Sequence, residues 1–265
     1  MELLDFITLH EPALERAQVR HNLILGLLAR ERDRNDDAFR YWTLGEAGAC
    51  AIKTPGRAII LGELTEPQCH QLAEETSELD YPGVVGPDET ARQFRVRAEA
   101  LGLHFGGAIE QGISMLGAPP VMPNVSGKAR QVTSDDADMF ADWIAEFVRE
   151  AAPHDPLPSV GQLRAKAGQG EHWFWTFDDE PVSLAGIVRR TRDAAAIASV
   201  YTPPAHRNRG FAGAVVATVA AEIFREGRTA ACLYTDLTNP ASNRCYEKIG
   251  FKRVGYATMQ LRVAD

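Results

Sequence analysis

The sequence predicts a mixed α/β (α+β) protein in two halves, the second carrying a mixed sheet with helices on both faces. Three observations carry that expectation. Strand-like and helix-like periodicities alternate along the chain, a proline-rich stretch interrupts them near the middle, and the charge balance changes at the same place. The interruption, residues 117–128, reads Gly-Ala-Pro-Pro-Val-Met-Pro-Asn-Val-Ser-Gly-Lys, which continues neither a helix nor a central strand. Residues 1–124 hold 19 Asp and Glu against 11 Lys and Arg, whereas 125–265 hold 17 of each, so the formal charge of −8 belongs to the first half. The expected domains are therefore 1–125 and 126–265.

In the second half, residues 129–133 read as a short strand. Ser134, Asp135 and Asp136 then offer capping side chains to a helix running to about 150, with Met139, Phe140, Trp143, Ile144, Phe147 and Val148 as its buried stripe. A short helix follows Pro158. Strand-like runs occupy 172–177, 181–190 and 194–202, with Asp178, Asp179 and Glu180 turning between the first two. A helix over 211–226 stops at Gly227, an apolar strand spans 229–235, a helix 240–249, and one or two strands 252–263. The first half repeats this order loosely: a helix near 11–31 with Val19, Leu23, Ile24, Leu27 and Leu28 inward, strands at 38–44, 48–53 and 57–62, and a helix at 66–79. An extended piece at 82–86, a helix at 88–100 and a strand at 108–116 complete it.

Composition narrows the function. Hydrophobic residues at 45% and charged residues at 24% exclude wholesale disorder and fibrous repeats. The apolar run 23–28 is far short of the roughly 20 residues of a membrane helix, and Glu2 and Asp5 open the chain where a leader would be basic. No membrane association is expected, and no nucleic-acid partner, since phosphate contact wants the opposite charge. Cys50, Cys69, Cys232 and Cys245 show neither disulfide nor metal spacing, which suits a reduced, cytoplasmic protein with no metal. Oligomeric state is not legible.

Two stretches carry chemistry. In the first, Val200-Tyr201-Thr202-Pro203-Pro204 ends a strand, and Arg207-Asn208-Arg209-Gly210-Phe211-Ala212-Gly213 opens a helix. The first turn of a helix presents unpaired N–H groups and the positive end of the helix dipole, and Gly210, Ala212 and Gly213 let an anion approach closely. Arg207 and Arg209 add charge. The plain alternative is a strand-to-helix turn with two surface arginines. In the second stretch Asn239 caps a helix, Pro240 fits its first position and Gly250 ends it, with Asn243 and Tyr246 on one face. Locally, Tyr246 reads equally well as half-buried packing.

Together the two stretches resemble the GNAT superfamily of acyl-coenzyme A-dependent N-acetyltransferases. Arg207, Gly210 and Ala212 match its Arg/Gln-x-x-Gly-x-Gly/Ala loop; Asn239, Ser242, Tyr246, Gly250 and Phe251 match its second motif. The resemblance covers roughly 129–265, and the first half would be a degenerate copy that closes over the acceptor. It implies a two-domain bacterial type, with acetyl-CoA as co-substrate and a pantetheine arm lying between two splayed parallel strands. Val200, Tyr201 and Thr202 would offer it backbone, residues 207–213 would receive the pyrophosphate, and Asn239 and Asn243 would lie beside the thioester.

The implied reaction is attack of a primary amine on the thioester carbonyl and expulsion of a thiolate, with Tyr246 as general acid. A phenol near 10 and a thiol near 8.5 are well enough matched for that transfer. The strand 194–200 lacks the acid many relatives keep there. Asp236 is a candidate base, with turn formation as its alternative. Cys245 reads as a small packed thiol. Trp173, Trp175 and Phe177 share one strand face and are core or a substrate wall. The expected acceptor is a small-molecule amine, favoured as a cation by the acidic half. A peptide acceptor and a non-catalytic acyl-CoA sensor are the alternatives.

Overall fold

A computed structural model describes residues 1–34 and 36–263. The chain forms two compact units. The first comprises residues 1–113, 235–238 and the C-terminal stretch from 254; the second comprises 114–234 and 239–253. The units thus interleave along the sequence where a single cut near 125 was drawn, and the whole proline-rich stretch belongs to the second.

The first unit begins with two helices, α1 (Leu3–Leu14) and α2 (Asn22–Arg34), joined through a 3₁₀ turn at Glu15–Ala17, where one helix over 11–31 was expected. Pro12 sits inside α1, whose buried residues Leu3, Phe6, Ile7, His10 and Leu14 recur at helical spacing. Strands β1 (Arg40–Thr43), β2 (Cys50–Lys53) and β3 (Ile59–Leu61) are antiparallel in sequence, and β3 pairs in parallel with β4 (Gly83–Pro87) across α3 (Glu66–Glu75). Helix α4 (Asp88–Ala100) and strand β5 (Phe105–Leu116) follow. The last strand of the chain, β11 (Lys252–Arg262), is a single strand whose residues 257–261 pair antiparallel with β4.

The second unit contains β6 (Lys128–Gln131), α5 (Ala137–Ala151), α6 (Val160–Arg164), β7 (His172–Phe177), β8 (Glu180–Arg190) and β9 (Ala194–Tyr201). Helix α7 (Phe211–Arg225), β10 (Ala230–Asp236) and α8 (Pro240–Ile249) complete it. Its strands lie in the order β10-β9-β8-β7-β6, with β9 and β10 parallel and the others antiparallel. With β11 counted after α8, the element order of residues 128–262 is β-α-α-β-β-β-α-β-α-β, as read from the sequence, although most of β11 belongs to the first unit. Its core has two sides. One gathers Trp173, Trp175, Ile187 and Ile197 against Val215, Val216 and Val219 of α7; the other gathers Phe174 and Leu184 against Phe140, Ile144 and Leu163. Trp173 and Trp175 are therefore packing residues, the Trp175 indole N–H donating to the Ser126 carbonyl at 3.1 Å.

Candidate active site

The site grows from the place where β9 and β10 part. Their parallel pairing covers Ala194, Ala195 and Ala196 against Ala230, Ala231 and Cys232, and stops there although β9 continues to Tyr201. Burial follows the pairing: 194–197 are fully buried, while Ala198, Ser199 and Val200 are half-buried. Ser199 has φ +56°, a left-handed conformation rare for a strand residue, and the β8–β9 register slips twice alongside, between Leu184 and Gly186 and between Ile187 and Arg189. A bulge of this kind bends one strand away from its neighbour. It opens the backbone of residues 197–201 toward the gap, where the sequence reading placed Val200, Tyr201 and Thr202. Two carbonyls there already have partners: that of Tyr201 accepts from Ser183 Oγ at 3.2 Å, and that of Thr202 from Arg207 Nε at 2.9 Å.

Beyond β9 the chain makes a 3₁₀ turn at Pro204–His206, passes Asn208 at φ +62° and Gly210 at φ +83°, and enters α7. The first intrahelical bond is from Ala214 N–H to the Gly210 carbonyl at 3.1 Å, so helix geometry leaves the N–H groups of Phe211, Ala212 and Gly213 pointing out of the end. A Cβ on Gly210 would lie 2.9 Å from Val125 Cγ2, and its left-handed φ is a second reason for glycine. The Arg209 guanidinium lies 4.7 Å from the ring centroids of both Phe177 and Phe211. Arg207 is turned to α5 instead, both of its contacts to the Glu150 carboxylate oxygens being 2.8 Å long.

Helix α8 lies beside this turn. A Cβ on Gly213 would come 3.3 Å from Cys245 Sγ, so the two helices touch next to Tyr246. Tyr246 packs on the core with its ring 6.2 Å from that of Phe251, edge to face. Burial pushes its phenol well above 10, so it carries its proton throughout the neutral range. The Cys245 thiol is also raised by burial and stays protonated, as suits packing. Asn239 Oδ1 accepts from Ser242 N–H at 3.1 Å as the helix cap. Asn243 donates to the Asn239 carbonyl at 2.8 Å and accepts from Arg253 at 3.1 Å. Gly250 ends the helix at φ +113°.

Asp236 is exposed, and its Oδ1 accepts from the N–H and hydroxyl of Thr238, both at 2.7 Å. These bonds belong to a turn. Among the described residues no group of three or more His, Cys, Asp or Glu could hold a metal ion, and no helix is long and apolar enough to cross a membrane. Glu150, Ser183 and Arg253 were not singled out in the sequence. Each meets the motifs only across the fold, so no local pattern marks them.

Residues 176–261 match the family described as FR47-like protein. No curated protein matches the chain. Solved structures similar to it include a Drosophila protein (15% identity, 98% of this chain and 94% of that one, TM-score 0.69). A GCN5-related N-acetyltransferase from Kribbella flavida is 14% identical over 94% and 96% of the two chains, with a TM-score of 0.65. A GCN5-related N-acetyltransferase from Sphaerobacter thermophilus is 17% identical over 83% and 78%, with a TM-score of 0.58. At these identities the likeness is one of fold.

Proposed function

We propose that this chain, whose residues 176–261 match the FR47-like family and whose fold is like that of GCN5-related N-acetyltransferases, transfers an acetyl group from acetyl-CoA directly to a primary amine of a small molecule, with Tyr246 as general acid. The parting of β9 from β10 after Ala196 and Cys232 carries this reading. It opens a strip of strand backbone that leads straight to the end of α7, as a pantetheine arm and a pyrophosphate require. The residues present fit such a ligand: small side chains at Gly210, Ala212 and Gly213, outward N–H groups at 211–213, and the Arg209 charge held beside them on two rings. Asn208 turns the loop, and the cap and ties of Asn239 and Asn243 hold α8 at its height.

In this mechanism the amine attacks the thioester carbonyl, the C–S bond breaks, and the phenol of Tyr246 gives its proton to the departing sulfur. A raised phenol holds its proton until charge develops on sulfur. Asp236 shapes the turn before α8, and the amine proton passes to water. The acidic excess of residues 1–124 favours a cationic acceptor by long-range attraction. The four unpaired thiols support a reducing, cytoplasmic setting.

Thiol release from acetyl-CoA across small amines, polyamines, amino acids, aminoglycosides and N-terminal peptides tests the proposal. Turnover of small cationic amines is the expected result. Turnover confined to peptides, or no acetyl-CoA binding at all, overturns it.

A further inference from the structure

The Arg207 guanidinium is engaged by Thr202, Glu150 and Tyr201, away from the end of α7. Its Nε donates to the Thr202 carbonyl at 2.9 Å, closing the turn that begins and ends with these residues. Inside that turn His206 N–H donates to the Pro203 carbonyl at 2.9 Å and Arg207 N–H to that of Pro204 at 3.3 Å. The Arg207 Nη2 donates to both carboxylate oxygens of Glu150, and the guanidinium lies 6.0 Å from the Tyr201 ring. Glu150 sits in the last turn of α5, where the helix dipole disfavours a carboxylate and a cation must offset it. One side chain therefore ties α5, the end of β9 and the start of the loop together, just before the two left-handed residues that aim the chain into α7.

We propose that Arg207 is a positioning residue, braced by Glu150, that sets the phosphate loop in its binding shape without touching the phosphates. The proposal rests on the acetyl-CoA reading above. It makes Glu150 a determinant of coenzyme affinity although it is an acid, and it predicts a sign: removing this negative charge weakens the binding of an anionic ligand. A guanidinium that instead reached the pyrophosphate would be held back by Glu150, and binding would tighten on its removal.

The test compares wild type, Glu150→Gln, Arg207→Gln, their double variant and the charge-exchanged pair Glu150→Arg with Arg207→Glu. Amide hydrogen exchange of residues 205–211 in ligand-free protein is expected to speed up about fivefold in each single variant, the upper range for an exposed ion pair, and no further in the double. Calorimetric titration with CoA is expected to give a Kd raised about fivefold in each, with partial return in the exchanged pair. Glu150→Gln is expected to raise KM for acetyl-CoA while kcat holds. Unchanged exchange, or tighter CoA binding by Glu150→Gln, overturns the brace. Wild-type protein that binds no CoA overturns the acetyl-CoA reading instead, and the exchange measurement still decides the brace.

Discussion

The most quantitative expectation concerns His172, at the start of β7. It is 6% exposed, and its ring centroid lies 4.8 Å from that of Phe140. A Cβ built on Gly186 would fall 2.3 Å from its Cδ2, so the imidazole fills space that only glycine at 186 leaves open. Its Nδ1 has no hydrogen-bond partner. Burial pushes its pKa from 6.5 down to about 4, and Lys166 pulls the same way. Between those two pH values the unfolded chain takes up a proton that the native state refuses. Stability from this group is therefore whole above pH 6.5 and is lost as pH falls to about 4, an amount of ~3 kcal/mol at 1.36 kcal/mol per pH unit. His10 and His21 are also lowered by burial, so the measurement must be a difference. Asp136, held at about 2 chiefly by its hydrogen bonds from Arg130, gives stability that is whole above its ordinary 3.8 and is lost only below it, outside the pH 7 to 4 window. Urea unfolding of wild type and His172→Leu at pH 7, 5.5 and 4 should show the stability difference between them moving by ~3 kcal/mol in favour of the variant as pH falls. Two curves that stay parallel from pH 7 to 4 would refute the argument, because they would mean the imidazole titrates normally in the fold.

Four further outcomes follow. Tyr246→Phe keeps the packing against Phe251 and removes the proton; kcat should fall about 10²-fold or more while CoA binding is retained, and steady-state kinetics with full turnover would remove the general acid. Asp236→Asn keeps an oxygen to accept from Thr238, so activity and its pH profile should be unchanged; a collapse of kcat would make Asp236 the base after all. Gly213→Val drives a branched side chain toward Cys245 Sγ and Pro123 Cγ, and should cost ~1–3 kcal/mol in thermal unfolding and abolish CoA binding by calorimetry. Residues 1–125 expressed alone lack the 257–261 strand that pairs with β4, together with buried Met259, so circular dichroism should find them without cooperative unfolding; a sharp transition would show that this unit can do without β11.

Much of the architecture was legible because the signals are local. Asn239, Pro240 and Gly250 bound α8 at 240–249 through cap and turn chemistry that needs no distant partner. His172–Phe177 reads as a strand because two apolar faces alternate, and both faces are buried in the fold. The single helix expected over 11–31 is two, since α1 begins at Leu3 and runs through Pro12 on its own buried stripe before the chain turns at Glu15–Ala17 into α2. The partner of β4 lies about 170 residues downstream, and no pattern within either strand names the other.

The sequence by itself determined the order of elements over residues 128–262 and the two motifs on which the proposed chemistry rests, because each depends on residues within one turn or one strand of one another. The tertiary structure alone decided what those residues do with their side chains. It turned Arg207 to Glu150, laid Arg209 on Phe177 and Phe211, engaged Asp236 with Thr238 and drew Asn243 to Arg253. It also ended the β9–β10 pairing at Ala196. These outcomes depend on which surfaces meet once distant segments pack, and on the competition of each polar group for a partner in that packed state.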